Sequence, residues 1–330
     1  MRRTARFPGS ALLLTAVVLV TLAGVALLAW DPRPATSRSF DRGVNGLWLG
    51  HRFYTGVGVR DGEPVTPDEV DTLVDTLARR GFRYVFIHAG PVQADGSIED
   101  EPDLVLATLA QRAPNVQRLA WLGARVEKID LTHAAFRHGL IETIRKLREA
   151  GFSGVHFDFV PLRDGHPGYL ETLEAVREAF GPEFSISQAT PRAGPFGFSF
   201  GPLRGSFWSE SFYRDTIERT DQTVVMAYDT GLAFTKGYVA FVRHQTELLG
   251  RWACEAPGHE LLIGIPSYED VPTYSDPQVE NIRTASEGVR AALEEPGFGS
   301  CLAGVSVYAY WVTDEDEWAE FDRYWRRPAE

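Results

Sequence analysis

The stretch TPDEVDTLVDTLARRGFRYVFIHAG (66–90) holds one complete helix-to-strand unit. Thr66 can cap a helix, Pro67 suits its first turn, and Glu69 stands three residues after the cap. Val70, Leu73, Val74 and Leu77 recur at helical spacing and form a single apolar stripe. Gly81 ends the helix. The apolar run YVFIHAG (84–90) that follows reads as a strand buried on both faces. Seven further short apolar runs continue this alternation: GLWLG (46–50), RLAWLGA (118–124), GVHFDFV (154–160), FSISQAT (184–190), TVVMAYD (223–229), LLIGIPS (261–267) and GVSVYAY (304–310). Helices are expected near 102–113, 133–150, 168–180, 209–219, 235–252, 277–293 and 315–326. Eight strands alternating with eight helices imply a parallel sheet with helical crossovers, which over this length closes as an α/β, (β/α)8 TIM barrel spanning 43–330. A doubly wound open sheet is the alternative, but no Gly-rich phosphate loop follows an early strand. The stretch 191–208 (PRAGPFGFSFGPLRGSFW), long and aromatic, is expected to shape a cleft after the fifth strand.

The chain has 330 residues, 33 Lys and Arg against 45 Asp and Glu, and a net charge of −12. With Arg2, Arg3 and Arg6 set aside, the remaining charge is −15. So acidic a chain is a poor counterion-displacing surface, and nucleic acid is excluded as a partner. Residues 11–30 carry no charge and are rich in Leu, Val and Ala. Twenty such residues span about 30 Å as a helix, the thickness of a bilayer core. The sequence thus divides into a basic cytoplasmic stub (1–10), a transmembrane anchor or signal segment (11–30), a polar linker (31–42) and an extracytoplasmic barrel. Cys254 and Cys301 each lie shortly before one of two consecutive strands, and outside the cytosol they can pair. Neither metal-ligand spacing nor a cofactor fingerprint is present, so no metal and no cofactor are expected.

Active sites of such barrels occupy the C-terminal ends of the strands. The candidates there are Trp48, His51 and Arg52 from the first strand, His88 from the second, and Arg125 and Glu127 from the third. His156 and Asp158 belong to the fourth, Gln188 to the fifth, and Tyr228 and Asp229 to the sixth. Tyr268, Glu269 and Asp270 follow the seventh, and Tyr308, Tyr310, Trp311 and Asp314 the eighth. Carboxylates mixed with aromatic rings suit a sugar, whose C–H faces stack on rings while its hydroxyls bond to acids.

The stretch SGVHFDFVP (153–161) resembles the DGxDxDxE signature of glycoside hydrolase family 18, the chitinase-like barrels, and lies on the fourth strand as that signature does. MAYD (226–229) resembles the family's M-x-Y-D segment on strand six. IGIPSY (263–268) and VYAYW (307–311) resemble its strand seven and strand eight segments, the latter ending in Trp311 as a substrate floor. The resemblance covers most of 43–326 and implies a glycan as the ligand, an N-acetylglucosamine-containing polysaccharide or a cell-wall glycan. It implies catalytic positions at Asp158, Tyr228 and Asp229, and substrate contacts by Trp48, His88, Gln188, Tyr268, Tyr310 and Trp311.

The departure from the signature is specific. The family's general acid is the final Glu, and Val160 stands there. Ser153 and His156 replace two of its acids, and Asp158 alone remains. In the family that Asp orients the substrate's acetamido group, a substrate-assisted route outside the usual two-carboxylate scheme. General acid help is worth about 10²–10⁴ in rate, so hydrolysis by that route should be severely impaired. Glu127, Asp164 and His156 are the candidate substitutes. Three functions follow: a glycan-binding barrel with absent or atypical hydrolysis, an active glycosidase using a relocated acid, or an envelope barrel that binds protein.

Overall fold

The computed structural model describes residues 30–103, 105–194, 197–199, 205–268, 275–298 and 301–326, together with Thr15, Val18 and Thr21. The segment 11–30, read as an anchor, lies almost wholly outside these. Among the described residues no helix is long and apolar enough to cross a membrane.

Eight parallel strands close a barrel: β1 (Asn45–Leu49), β2 (Phe82–His88), β3 (Gln117–Arg125), β4 (Gly154–Val160), β5 (Ser185–Thr190), β8 (Gln222–Met226), β9 (Glu260–Pro266) and β10 (Leu302–Tyr308). Two short strands, β6 (Arg192–Ala193) and β7 (Phe207–Trp208), pair with each other inside the long segment after β5. The helices are α1 (Arg52–Thr55), α2 (Pro67–Arg79), α3 (Val105–Arg112), α4 (Ala134–Glu149), α5 (Pro167–Phe180), α6 (Glu210–Ile217), α7 (Thr235–Cys254), α8 (Ile282–Leu293) and α9 (Glu315–Glu320). The α/β barrel expected from the alternation is therefore the fold. The Thr66 side chain accepts from the Glu69 amide, and the Glu69 carboxylate accepts from the Thr66 amide, which is the reciprocal cap the sequence implies.

Two apolar layers hold the barrel. The larger lies between strands and helices; the smaller fills the barrel itself with Trp48, Tyr84, Phe86, Leu119, Trp121, Val224 and Leu262. Period-two alternation sorts residues between them. On β4, Val155, Phe157 and Phe159 pack outward, so His156 and Asp158 face in. Pairing of His156 with Trp121 on β3 and Ser187 on β5 puts these three side chains in one inward row.

Cys254, the last residue of α7, and Cys301, just before β10, form a disulfide with their Cα atoms 5.1 Å apart. Residues 31–42, read from the sequence as a polar linker, do not hang free. They lie along α8, where the Glu294 carboxylate accepts from the backbone amides of Ala35 and Thr36 at 2.6 and 2.9 Å.

Candidate functional site

Asp158 sits near the mouth end of β4. Its Oδ2 accepts from the Trp121 indole N–H at 3.0 Å, while its buried Oδ1 has no hydrogen-bond partner in the protein. Burial pushes the carboxyl up to about 6, against the pull of the Trp121 bond. The aromatic rings around it belong to several strands. Tyr308 lies 6.2 Å from Trp121 and 5.5 Å from Tyr228, nearly parallel to the latter. Trp311 lies 6.4 Å from Trp121 with the rings 13° from parallel, and 5.7 Å from Tyr308, edge-on. Trp311 is 47% exposed, so its face is open to a ligand. Gly50 beneath it matters: a Cβ there would stand 3.4 Å from the Trp311 ring.

Beyond the end of β8, Asp229 adopts a left-handed backbone with φ 55°, the one non-glycine residue to do so among those described. Such strain needs over-determined surroundings. Here Arg192 donates to the carbonyls of Tyr228 and Asp229 at 2.7 and 2.9 Å. The Tyr268 hydroxyl donates to the Asp229 carboxylate. Tyr268 thereby holds Asp229 through Oδ1, whereas the unpartnered oxygen of Asp158 is the buried Oδ1.

His88 closes another side. Its ring meets Trp121 at 4.6 Å and His51 at 5.4 Å, both edge-on. Burial first, then the His51 charge, pulls it down to about 4, so it is neutral at physiological pH. A cleft of about 600 Å³ is lined by Gly50, His51, Arg52, His88, Trp121 and Trp311, among others. A larger groove of about 890 Å³ lies at the opposite, floor end, walled by such ion pairs as Arg177–Asp221 and Arg219–Glu174, and holds none of these residues.

Several residues expected at the site lie elsewhere. Trp48 is 1% exposed and forms part of the packed interior beneath the cup, against Phe86, His156 and Tyr308. Gln188 faces the other way, bonded to the Tyr169 hydroxyl and to Thr223 between sheet and helices. Its neighbour Ser187 takes the inward place, because adjacent strand residues point to opposite faces. Tyr310 packs outward, 5.7 Å from Phe53. Tyr268 and Asp229 are brought together, at the edge of the cup.

The three candidate substitutes for the missing acid are also displaced. Glu127 is exposed and held by Arg125 at 2.6 Å. Asp164 is buried at the start of α6, accepting from the Ser209 amide and hydroxyl at 2.7 and 2.8 Å. His156 is fully buried, stacked on Phe86 at 4.0 Å and bonded through Nδ1 to Ser187 at 2.8 Å, not to Asp158. Burial lowers it to about 3, so it stays a neutral imidazole and is not the imidazolium that a general acid requires. Asp314 is the cap of α9. Glu269 and Asp270 lie outside the described residues.

Trp121, Tyr308 and Arg192 are absent from the expected substrate-contact set. Trp121 lies mid-strand in RLAWLGA, and its ring reaches from there to Asp158.

The geometry yields a pH prediction. A folded-state value near 6, above the ordinary carboxylate value, means that stability from Asp158 is full below about pH 4 and is lost as pH rises through about 6. Asp158→Asn should therefore gain on the parent in urea unfolding between pH 4 and 6, by at most ~3 kcal/mol. An unchanged difference across that range would mean Asp158 is not desolvated.

No protein-family model matches the sequence, and no curated protein does so. Solved structures match in fold. The spore cortex-lytic enzyme SleL of Bacillus megaterium QM B1551 is 14% identical with a TM-score of 0.57, over 88% of this chain and 75% of that one. A family GH18 chitinase from Chromobacterium violaceum is 14% identical with a TM-score of 0.57, over 85% and 79%. The Ostrinia furnacalis Group IV chitinase is 13% identical with a TM-score of 0.54, over 82% and 92%, and has also been solved with allosamidin. The chain thus shares its fold with chitinases and chitinase-like proteins, as the strand motifs imply.

Proposed function

We propose that this protein is a membrane-anchored, extracytoplasmic barrel that binds a glycan containing N-acetylglucosamine, without efficient hydrolysis. One observation carries the reading: Asp158, with one unpartnered oxygen, stands in an open aromatic cup, while the next inward position on β4 is Val160. The rings of Trp311, Trp121 and Tyr308 offer apolar faces for a sugar, and Asp158 an acceptor for its N–H or O–H groups. Hydrolysis needs a proton donor near the glycosidic oxygen. The substitutes Glu127, Asp164 and His156 are committed elsewhere, and the Asp229 carboxylate is held by Tyr268. The uncharged run 11–30 and the three arginines before it support the anchor and the extracytoplasmic side for the barrel.

The test is titration of the full chain, held in a detergent without a sugar headgroup, with chito-oligosaccharides followed by tryptophan fluorescence. Binding without turnover is expected. Trp311→Ala should weaken it roughly 30-fold, the loss typical of a central aromatic anchor, with unfolding unchanged because the ring is half exposed. Turnover by the parent chain would favour an active glycosidase. Absence of binding at millimolar glycan would leave the protein-binding barrel.

A further inference from the structure

The course of residues 31–42 bears on how the barrel sits, granted the membrane anchor proposed above. The carboxylate of Glu287, midway along α8, accepts from Arg33 Nε at 3.1 Å. Two turns further on, Glu294 accepts from the Ala35 and Thr36 amides and from the Thr36 hydroxyl at 2.7 Å. Between them, Arg290 Nη2 donates to the Thr36 carbonyl at 3.1 Å, and its guanidinium lies over Phe40 at 5.5 Å. Ser39 then donates to the Arg326 carbonyl at 2.5 Å, and Arg42 Nη1 to that of Leu302 at 3.2 Å. Under this cover Arg290 is wholly buried, although it belongs to an outer helix of the barrel.

Direction follows from the fold. Barrel strands run from floor to mouth and the helices return from mouth to floor. The segment from Arg33 to Thr36 travels from Glu287 towards Glu294, that is, towards the floor. Its upstream end therefore lies nearer the mouth than its downstream end. Trp30, the last residue of the uncharged run, is three residues before Arg33, at most about 10 Å of extended chain. No slack is left for the barrel to stand off the membrane on its floor.

We infer that residues 31–42 are a strap that fixes the barrel flank-on, with the α8 side against the lipid headgroups and the mouth opening alongside the membrane. The partner surface is the bilayer itself. A glycan reaching the cup then lies close to the membrane plane, not out in the surrounding wall.

The experiment uses the full chain in phosphatidylcholine–phosphatidylglycerol vesicles carrying a headgroup quencher. A fluorophore is placed through a noncanonical amino acid at Gln278, Gly297 or Arg145. Gln278 is exposed at the mouth end of α8, Gly297 is exposed just beyond its floor end, and Arg145 is on α4. Because α8 leads into β10 and α4 into β4, four strands away around the closed ring, Arg145 marks the far flank. Quenching is expected to be strongest at Gln278, weaker at Gly297 and at least threefold weaker at Arg145. Strongest quenching at Gly297 would mean a barrel standing on its floor, and equal weak quenching at all three a free tether; either overturns the strap. A chain that fails to float with the vesicles removes the anchor itself, and the strap with it. Amide exchange gives an independent reading. Ala35 and Thr36 should exchange at least 100-fold more slowly than an unstructured peptide, and unprotected exchange there would overturn the strap whatever the anchor does.

Discussion

Val160→Glu is expected to raise hydrolysis of fluorogenic chito-oligosaccharides by about 10²–10⁴-fold over the parent chain. The substitution puts a carboxyl at the mouth end of β4, on the same face as Asp158 and about 6.5–7 Å further along the strand. Position 160 is only partly buried, so the new group can stay solvated and the fold should tolerate it. Asp158 supplies the other half of the chemistry as the acceptor proposed for the sugar's acetamido N–H. The gain should vanish in Val160→Glu combined with Asp158→Asn, which separates chemistry at this site from a contaminating activity. A Val160→Glu protein that folds, binds the oligosaccharide and shows no gain would mean that the bound sugar lies with its glycosidic oxygen out of reach. One that no longer binds would mean that the cup selects a different glycan.

Phe86→Ala is expected to destabilise the barrel by ~3–5 kcal/mol, the usual result of removing a large aromatic from a packed core. Phe86 is fully buried in the barrel interior, with His156 stacked on it at 4.0 Å and Trp48 at 5.2 Å. A Cβ added at Gly46 would come within 2.8 Å of the ring, so the wall on that side is already as close as it can be. The strands bounding the space are hydrogen-bonded on both sides and cannot collapse inward, so the vacated volume remains a cavity. Urea unfolding at unchanged m-value measures the effect. A loss below ~1 kcal/mol would show that the interior repacks around the missing ring and that the strands do yield. Because His156 and Trp48 support the underside of the cup, oligosaccharide affinity should fall too.

The barrel itself was legible because the alternation of apolar runs and amphipathic stretches is a local pattern, repeated eight times. Caps such as Thr66 with Glu69 are equally local. Side-chain direction was less so. Gln188 and Ser187 differ by one position, yet one sits between sheet and helices and the other inside the barrel. Which of two neighbours faces inward depends on register with β4 and β8, and those contacts join residues roughly thirty apart in sequence. Trp121 depends on register in the same way: its hydrogen bond to Asp158 exists only once β3 and β4 are aligned.

The sequence alone settled the kind of chain this is: a (β/α)8 pattern, and Val160 where a proton donor would stand. These are matters of residue identity and periodicity, which no tertiary contact can change. The tertiary structure decided which carboxylates are free to act. Glu127, Asp164 and Asp229 are all acids near the ends of the barrel elements, and composition makes them interchangeable. Their partners Arg125, Ser209 and Tyr268 do not, because a carboxylate already holding its donors has less to offer a ligand. Asp158 differs because the surrounding rings bury it and its second oxygen is enclosed without a donor.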